Sequence, residues 1–315
     1  MVLRRRGVAK ISVQSAGDSN VKAGVTIQGT FSETAVLDLT RAWIKFRFPG
    51  IRFLVGKTGL SWGEGTYFNA GDILFGSTEI AVNLTDDVIR DDAAWLASVY
   101  VPLGRFSFLE AAYLPPAIDL ASSALTAALA GIITYDSFAP VSADYPSPAD
   151  SAGALRVVFK AGGLKMEAGG IYRGDGGTAA AYAGLQGHLL ADLNLTVSAD
   201  ILDENEVPEA WHESLAASFG AFQMFKPGRD ITLTLRLEGL VRPWGRWDTE
   251  DGALASDACG ILLYPEVSLA AGSMHSLFFR SVVSPVDASA LIVGGYAFSP
   301  LKEGSTIRVG EATVR

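Results

Sequence analysis

From Ala191 to Ile201 the chain alternates apolar and polar residues without a break. Asp192, Asn194, Thr196, Ser198 and Asp200 share one parity, and Leu193, Leu195, Val197, Ala199 and Ile201 share the other. Successive strand side chains point to opposite faces, so this stretch predicts a strand with one wet side and one apolar side. The same rhythm predicts strands over 21–31, 35–48, 51–57, 92–102, 105–114, 153–162, 165–174, 178–187, 190–201, 209–224, 230–242, 258–270, 274–284 and 288–298. Weaker candidates stand at the ends, over 7–14 and 305–314. The pattern therefore predicts an all-β fold of about 16 strands, with 14 to 18 as the range.

The connections sort by length. Short ones fall at Pro49-Gly50, Leu103-Gly104, Gly162-Gly163, near His188, at Lys226-Pro227-Gly228 and at Ala271-Gly272. Longer ones, 58–91, 115–152, 202–208 and 243–257, fall between them. Tight turns on one side and long loops on the other are the arrangement of a transmembrane antiparallel up-and-down β-barrel. A soluble Greek-key sandwich has no reason to alternate in this way. The loop 115–152 carries an Ala- and Leu-rich middle, Leu120 to Gly131, read as a helical turn or two in a surface loop.

Composition points the apolar face at lipid. Hydrophobic residues make up 49% of the 315 and charged residues 19%, against about 25% charged in an ordinary soluble domain. No apolar run approaches the roughly 20 residues of a membrane helix, so the excess must sit in the alternating strands. A single cysteine, Cys259, excludes an internal disulfide framework and a cysteine-based zinc site. The net charge of −9 argues against nucleic acid as a partner. An exported barrel calls for a signal segment, yet Arg4-Arg5-Arg6 is followed by no apolar stretch. The start is therefore read as trimmed or assigned downstream of the true one. No linker is visible, and residues 1–315 are read as one domain.

A Lys or Arg facing lipid at the midplane costs about 2–4 kcal/mol, so charged faces should point inward. That assigns Lys22, Arg41, Lys45, Arg47, Arg52, Arg156, Lys160, Lys165, Arg173, Arg236 and Arg280 to the lumen. The inward acids are fewer: Glu167, Asp192, Asp200 and Glu238, with the two aspartates expected opposite cations. Other acids cluster in predicted loops, as Asp86, Asp87, Asp91 and Asp92, or Asp203, Glu204, Glu206 and Glu209. A basic wall with mild anion preference follows, since rings of basic side chains select anions. In 35–48 the parity of Asp38 and Thr40 clashes with that of Arg41, Lys45 and Arg47, which predicts a bulge near Thr40.

The most specific stretch runs from Gly56 and Lys57 through Ser61-Trp62-Gly63-Glu64-Gly65 to Tyr67, Phe68, Asn69, Gly71 and Asp72. It resembles a signature of bacterial outer-membrane porin-like barrels, including spirochaete and alginate-export-like porins. There a strand ending in Gly-Lys or Gly-Arg leads into Ser-Trp-Gly-x-Gly, then Phe-Asn and an Asp. Read from its residues, the glycines allow turns other residues resist, and the aromatics give the chain something to pack against. Lys57, Glu64, Asn69 and Asp72 can hold it by charge-assisted hydrogen bonds. Residues 61–75 are expected to fold inward and help form a constriction; a strand-to-loop corner needed only for folding is the plainer alternative.

No chemistry competes with this reading. The three histidines, His188, His212 and His275, are scattered, no Gly-x-Ser-x-Gly nucleophile motif occurs, and no metal or other cofactor is implied. The expected function is a porin or channel passing small solutes, anions or acidic sugars among them, in the bacterial outer membrane. A surface adhesin and a soluble all-β binding protein are the other classes considered.

Overall fold

The computed structural model describes residues 7–15, 20–31, 35–75, 93–116, 147–174, 176–202, 214–243, 260–272, 274–286, 288–298 and 307–309. They form sixteen strands: β1 (Gly7–Gln14), β2 (Val21–Phe31), β3 (Ala35–Phe48), β4 (Ile51–Thr58), β5 (Ala94–Pro102), β6 (Phe108–Leu114), β7 (Ala152–Ala161) and β8 (Leu164–Arg173). Then come β9 (Thr178–His188), β10 (Asp192–Leu202), β11 (Ala216–Phe225), β12 (Ile231–Arg242), β13 (Gly260–Ala271), β14 (His275–Ser284), β15 (Ser289–Phe298) and β16 (Ile307–Val309). The strands follow one another in the sheet in chain order, an up-and-down meander.

The connections after β3, β5, β7, β9, β11 and β13 are all short, as the turn residues predict. The opposite end is mixed: four long connections lie there, but those after β2, β8 and β14 are short as well. The strand expected from residue 105 begins only at Phe108, because the turn takes five residues, closed by Leu103 N donating to Ser107 O at 2.7 Å. The helical-turn stretch 120–131, His212, Cys259 and the acidic clusters at 86–92 and 203–209 lie outside the described residues.

Two compact units emerge from the contacts. The first holds Met1–Leu60, Asp92–Arg156 and Tyr172–Gly177; the second holds Ser61–Asp91, Val157–Ile171 and Thr178–Arg315.

In the first unit, pairing rows across β2–β6 alternate strictly. Val21, Phe46, Phe53, Val99 and Ala111 line up in one row. The next row holds Lys22, Lys45, Leu54, Ser98 and Ala112. Thr26 pairs with Arg41 and Ile27 with Leu39, so Thr40 is the extra residue of a bulge, and its hydroxyl donates to Thr26 O at 3.1 Å. The bulge lies at the position the parity clash predicts. It lets Arg41, Lys45 and Arg47 share a face despite the preceding aspartate.

The second unit is built with its polarity reversed relative to a water-soluble domain. On β10, Leu193 and Leu195 are 42% and 46% exposed, while Thr196 between them and Val197 is 0% exposed. Leu235 and Leu237 on β12 are likewise exposed and Glu238 is buried; Val267 and Leu269 on β13 are exposed and Glu266 is buried. An exposed apolar face of this extent opposite a buried polar one is the signature of strands that meet lipid outside and polar groups inside. The apolar core sits on that polar side. Tyr67, Phe68 and Ala70 cluster there with Ala216, Leu240, Leu262, Tyr264, Val282 and Val293.

Candidate functional site

The segment after β4 supplies the site. Residues 61–75 run without regular structure; Trp62 and residues 67–74 are buried, Trp62 and Asn69 completely so. Three kinds of contact seat them on the polar face of β9–β15.

The first is a carboxylate. Glu238 on β12 accepts hydrogen bonds from three successive backbone amides: Thr66 N at 3.2 Å to Oε1, and Tyr67 N at 2.6 Å and Phe68 N at 2.9 Å to Oε2. A charged acceptor strengthens such bonds in a buried setting. Two residues on, Ala70 N donates to Ser218 Oγ on β11 at 2.9 Å.

The second contact is aromatic. Tyr67 stacks on Tyr264 of β13 with ring centres 4.1 Å apart and planes at 2°, and Phe68 meets Tyr67 edge-on at 4.9 Å. Trp62 packs against Tyr182 of β9 at 6.2 Å. Burial pushes the Tyr67 hydroxyl up to about 12 from 10.0, so it stays neutral in any ordinary buffer.

Backbone closeness is the third. Gly63 has φ +75° and faces Asn69, whose Nδ2 donates to Trp62 O at 2.7 Å and whose Oδ1 accepts from Gly71 N at 3.0 Å. A Cβ on Gly71 would stand 2.8 Å from Thr196 Cγ2 and 2.9 Å from Tyr182 Cδ2. Only glycine lets the segment lie this close to the wall. Asp72 is buried directly after this turn, its amide donating to Asn69 O at 3.2 Å.

Around this seat the charged residues are paired. Lys165 bridges Glu64 of the segment and Glu167, the latter at 3.7 Å. Arg236 lies 3.7 Å from Glu238 and 3.5 Å from Glu266; Arg280 reaches Glu266 at 3.1 Å, and Tyr264 OH donates to the same carboxylate at 3.2 Å. In the first unit Arg156 pairs with Glu110 at 2.8 Å and lies over the Phe108 ring. Glu110 and Glu266 are the acids that inspection of the sequence missed. Glu266 shares its parity with Ser268 and opposes Val267 and Leu269, so the alternation carried the signal.

The remaining sequence-assigned residues divide. Lys22, Lys45, Arg47 and Arg52 are exposed on the polar rows of β2–β4, beside the turn at Pro49-Gly50. None has a carboxylate partner among the described residues, and Arg52 lies 4.9 Å over the Tyr100 ring. Arg41 is half-buried opposite Thr26; Lys160 is exposed on β7, and Arg173 is half-buried at the end of β8. Lys57 falls in the row of Val25, Ala42 and Trp95, an apolar row rather than a polar one. It sits near the strand end, where a long side chain can carry its charge toward water. In the strand pairings of the described residues, neither aspartate of β10 stands opposite a lysine or arginine. Asp192 pairs with His188 at 2.8 Å and stands beside Phe222, and Asp200 stands opposite Ala180. The tight turn 189–191 sets that register, which the alternation alone cannot specify.

No protein-family model matches the chain, and no curated protein matches its sequence. Solved structures do match. Salmonella typhi OmpF, solved in complex with daunomycin, superposes with a TM-score of 0.50 at 8% identity, over 93% of this chain and 90% of that one. A loop L8 deletion mutant of OmpT, an outer membrane protein of Vibrio cholerae, matches with a TM-score of 0.49 at 11% identity over 92% and 89%. An anion-selective porin from Comamonas acidovorans matches with 0.48 at 10% identity over 91% and 78%. The likeness to OmpF is one of fold, and the fold is the antiparallel up-and-down architecture of the outer-membrane β-barrels.

Proposed function

We propose that this chain is an outer-membrane channel for passive diffusion of small solutes, with a mild preference for anions. The observation that carries the reading is the reversed polarity of the strands. Leucines, valines and phenylalanines are exposed on one face while Glu110, Glu167, Glu238 and Glu266 are buried on the other. A face of that kind needs lipid, and charged groups at membrane depth need water or partners. The seated segment 61–75 supports a constriction, because it covers part of the polar face without filling it with apolar side chains alone. The resemblance of Gly56 to Asp72 to the spirochaete and alginate-export-like porins agrees with this assignment. Residues 1–315 act as one channel domain in this reading, and no catalytic step belongs to it.

The anion preference rests on charge that is left over. Arg156, Lys165, Arg236 and Arg280 are neutralised by carboxylates within 4 Å. Lys22, Lys45, Arg47 and Arg52 have no such carboxylate among the described residues, so they set the sign of the field where they stand. Single-channel recording in planar bilayers tests both parts. Discrete ohmic steps are expected, with reversal potentials under a KCl gradient displaced toward chloride. Clear cation selectivity would sink the anion preference, and absence of steps from correctly folded protein would sink the channel.

A further inference from the structure

Beside the seated segment lies a polar cavity of about 260 Å³. Its floor is two neighbouring rows of the polar face, one carrying Asp192, Phe222 and Arg236, the other Gln186, Asn194, Gly220 and Glu238. Its rim is the backbone from Gly63 to Thr66, with the Glu64 side chain.

The charges around this cavity are already committed. Glu238 is occupied by three backbone amides, and Arg236 is shared between Glu238 and Glu266. Glu64 is held by Lys165, and the Asp192 carboxylate lies 2.8 Å from His188 Nδ1. Among the described residues, the lining groups left without a charged partner are the carboxamides of Gln186 and Asn194; the Phe222 ring already carries the Arg236 guanidinium, 5.3 Å from its centre. Asn194 Oδ1 is buried and lacks a donor. The amide lies across Gly220, where a Cβ would stand 2.6 Å from Asn194 Nδ2, so the glycine makes the space that Asn194 occupies.

We propose that this cavity is a binding site for a neutral polyhydroxylated solute of monosaccharide size. A carboxamide donates and accepts in one plane, which matches neighbouring hydroxyls that also do both. The face of the Phe222 ring turned away from the Arg236 guanidinium offers an apolar surface for the C–H face of a sugar. The committed charges disfavour ions of either sign, so an acidic sugar is excluded from this cavity even where the basic residues of β2–β4 attract it. The volume of about 260 Å³ falls just below the ~300–1,000 Å³ range of drug-sized sites, which fits one sugar ring rather than a chain of them. The inference rests on the channel reading, since the sugar would reach the cavity from the water-filled side.

Calorimetric titration of the detergent-folded full chain with glucose, glucuronate and glucosamine tests it, with conductance measured on the same preparation. Glucose should bind, and more tightly than either charged analogue. Asn194→Leu and Gln186→Leu should each weaken glucose about tenfold, with thermal stability unchanged; Phe222→Leu should weaken it as well. Absence of heat with glucose overturns the proposal, as does tighter binding of glucosamine or glucuronate. Binding that survives all three substitutions overturns it too, because the sugar then sits elsewhere. Intact conductance alongside failed sugar binding removes this site and leaves the channel standing; lost conductance removes the channel, while the titration still decides the site.

Discussion

Glu238→Ala takes the acceptor from three adjacent backbone N–H groups at once. Each buried N–H left without a partner costs about 1–3 kcal/mol, less where water can enter to replace the carboxylate. The strands around it keep their ladder, since Glu238 contributes to the sheet through its backbone. The expected result is therefore a loosened segment on an intact wall. Limited proteolysis should cut between residues 61 and 75 in the variant and spare the parent, and single-channel traces should become noisier. Glu238→Gln keeps one acceptor oxygen and should fall between the two. Equal protease resistance in all three proteins would show that the aromatic stacking of Tyr67 on Tyr264 suffices to hold the segment.

At the scale of the strand, the alternation has an energetic meaning that substitution can read. Leu195 and Leu237 are exposed, so in water a lysine at either position would change stability by no more than about 0.5 kcal/mol. Facing lipid near the midplane, the same lysine costs about 2–4 kcal/mol. Urea titration of folding into vesicles should return the larger figure for Leu195→Lys and Leu237→Lys. A value near zero would mean that these faces meet water. The strands were legible in the sequence because a period of two survives any tertiary context in which one face differs from the other. Even the bulge at Thr40 was legible, as a break in that period. What the alternation does not carry is register. It marked Asp192 and Asp200 as inward, but their neighbours are chosen by the turn at 189–191. Nor does composition place Lys57, expected to help hold the segment after β4: its pairing row is apolar. Glu110 was hidden by its setting, Leu109 and Ala111 on either side and Phe108 and Ala112 at its own parity, which gives the polar face no second polar member.

For the molecule as a whole, net charge and local charge point in opposite directions. The chain carries −9, yet the described polar face of β2–β4 presents four cations with no carboxylate among their partners. Permeating ions respond to charges within about a Debye length, ~10 Å at 0.1 M salt, and acids on remote connections are screened. K45E/R47E should therefore shift the reversal potential toward cations, although it makes a small change in a chain already acidic overall. The shift should shrink as salt rises. A reversal potential that does not move would assign selectivity to residues other than these. The seat of segment 61–75 escaped the sequence for a different reason. The composition of the segment was readable, but Ser218, Thr196, Tyr182 and Tyr264 stand among many similar strand residues, and only the folded sheet selects them as the receiving surface.

The bond from Tyr67 N to Glu238 joins positions 171 residues apart. Contacts of such separation form late, because the chain between them must be ordered first and the closure entropy met before the contact rewards it. The segment accordingly has no receiving surface until β9 through β13 are paired, and the polar face stays uncovered until then. Trp62, buried only when the segment is seated, is a reporter of that last event. Refolding followed by tryptophan fluorescence, in a chain with Trp62 as its reporter, should show a phase slower than the gain of strand circular dichroism. Coincident phases would mean that wall and segment form together. In kinetic terms the seating of the segment is then a closing step, made by the chain on its own sheet after the receiving strands are paired.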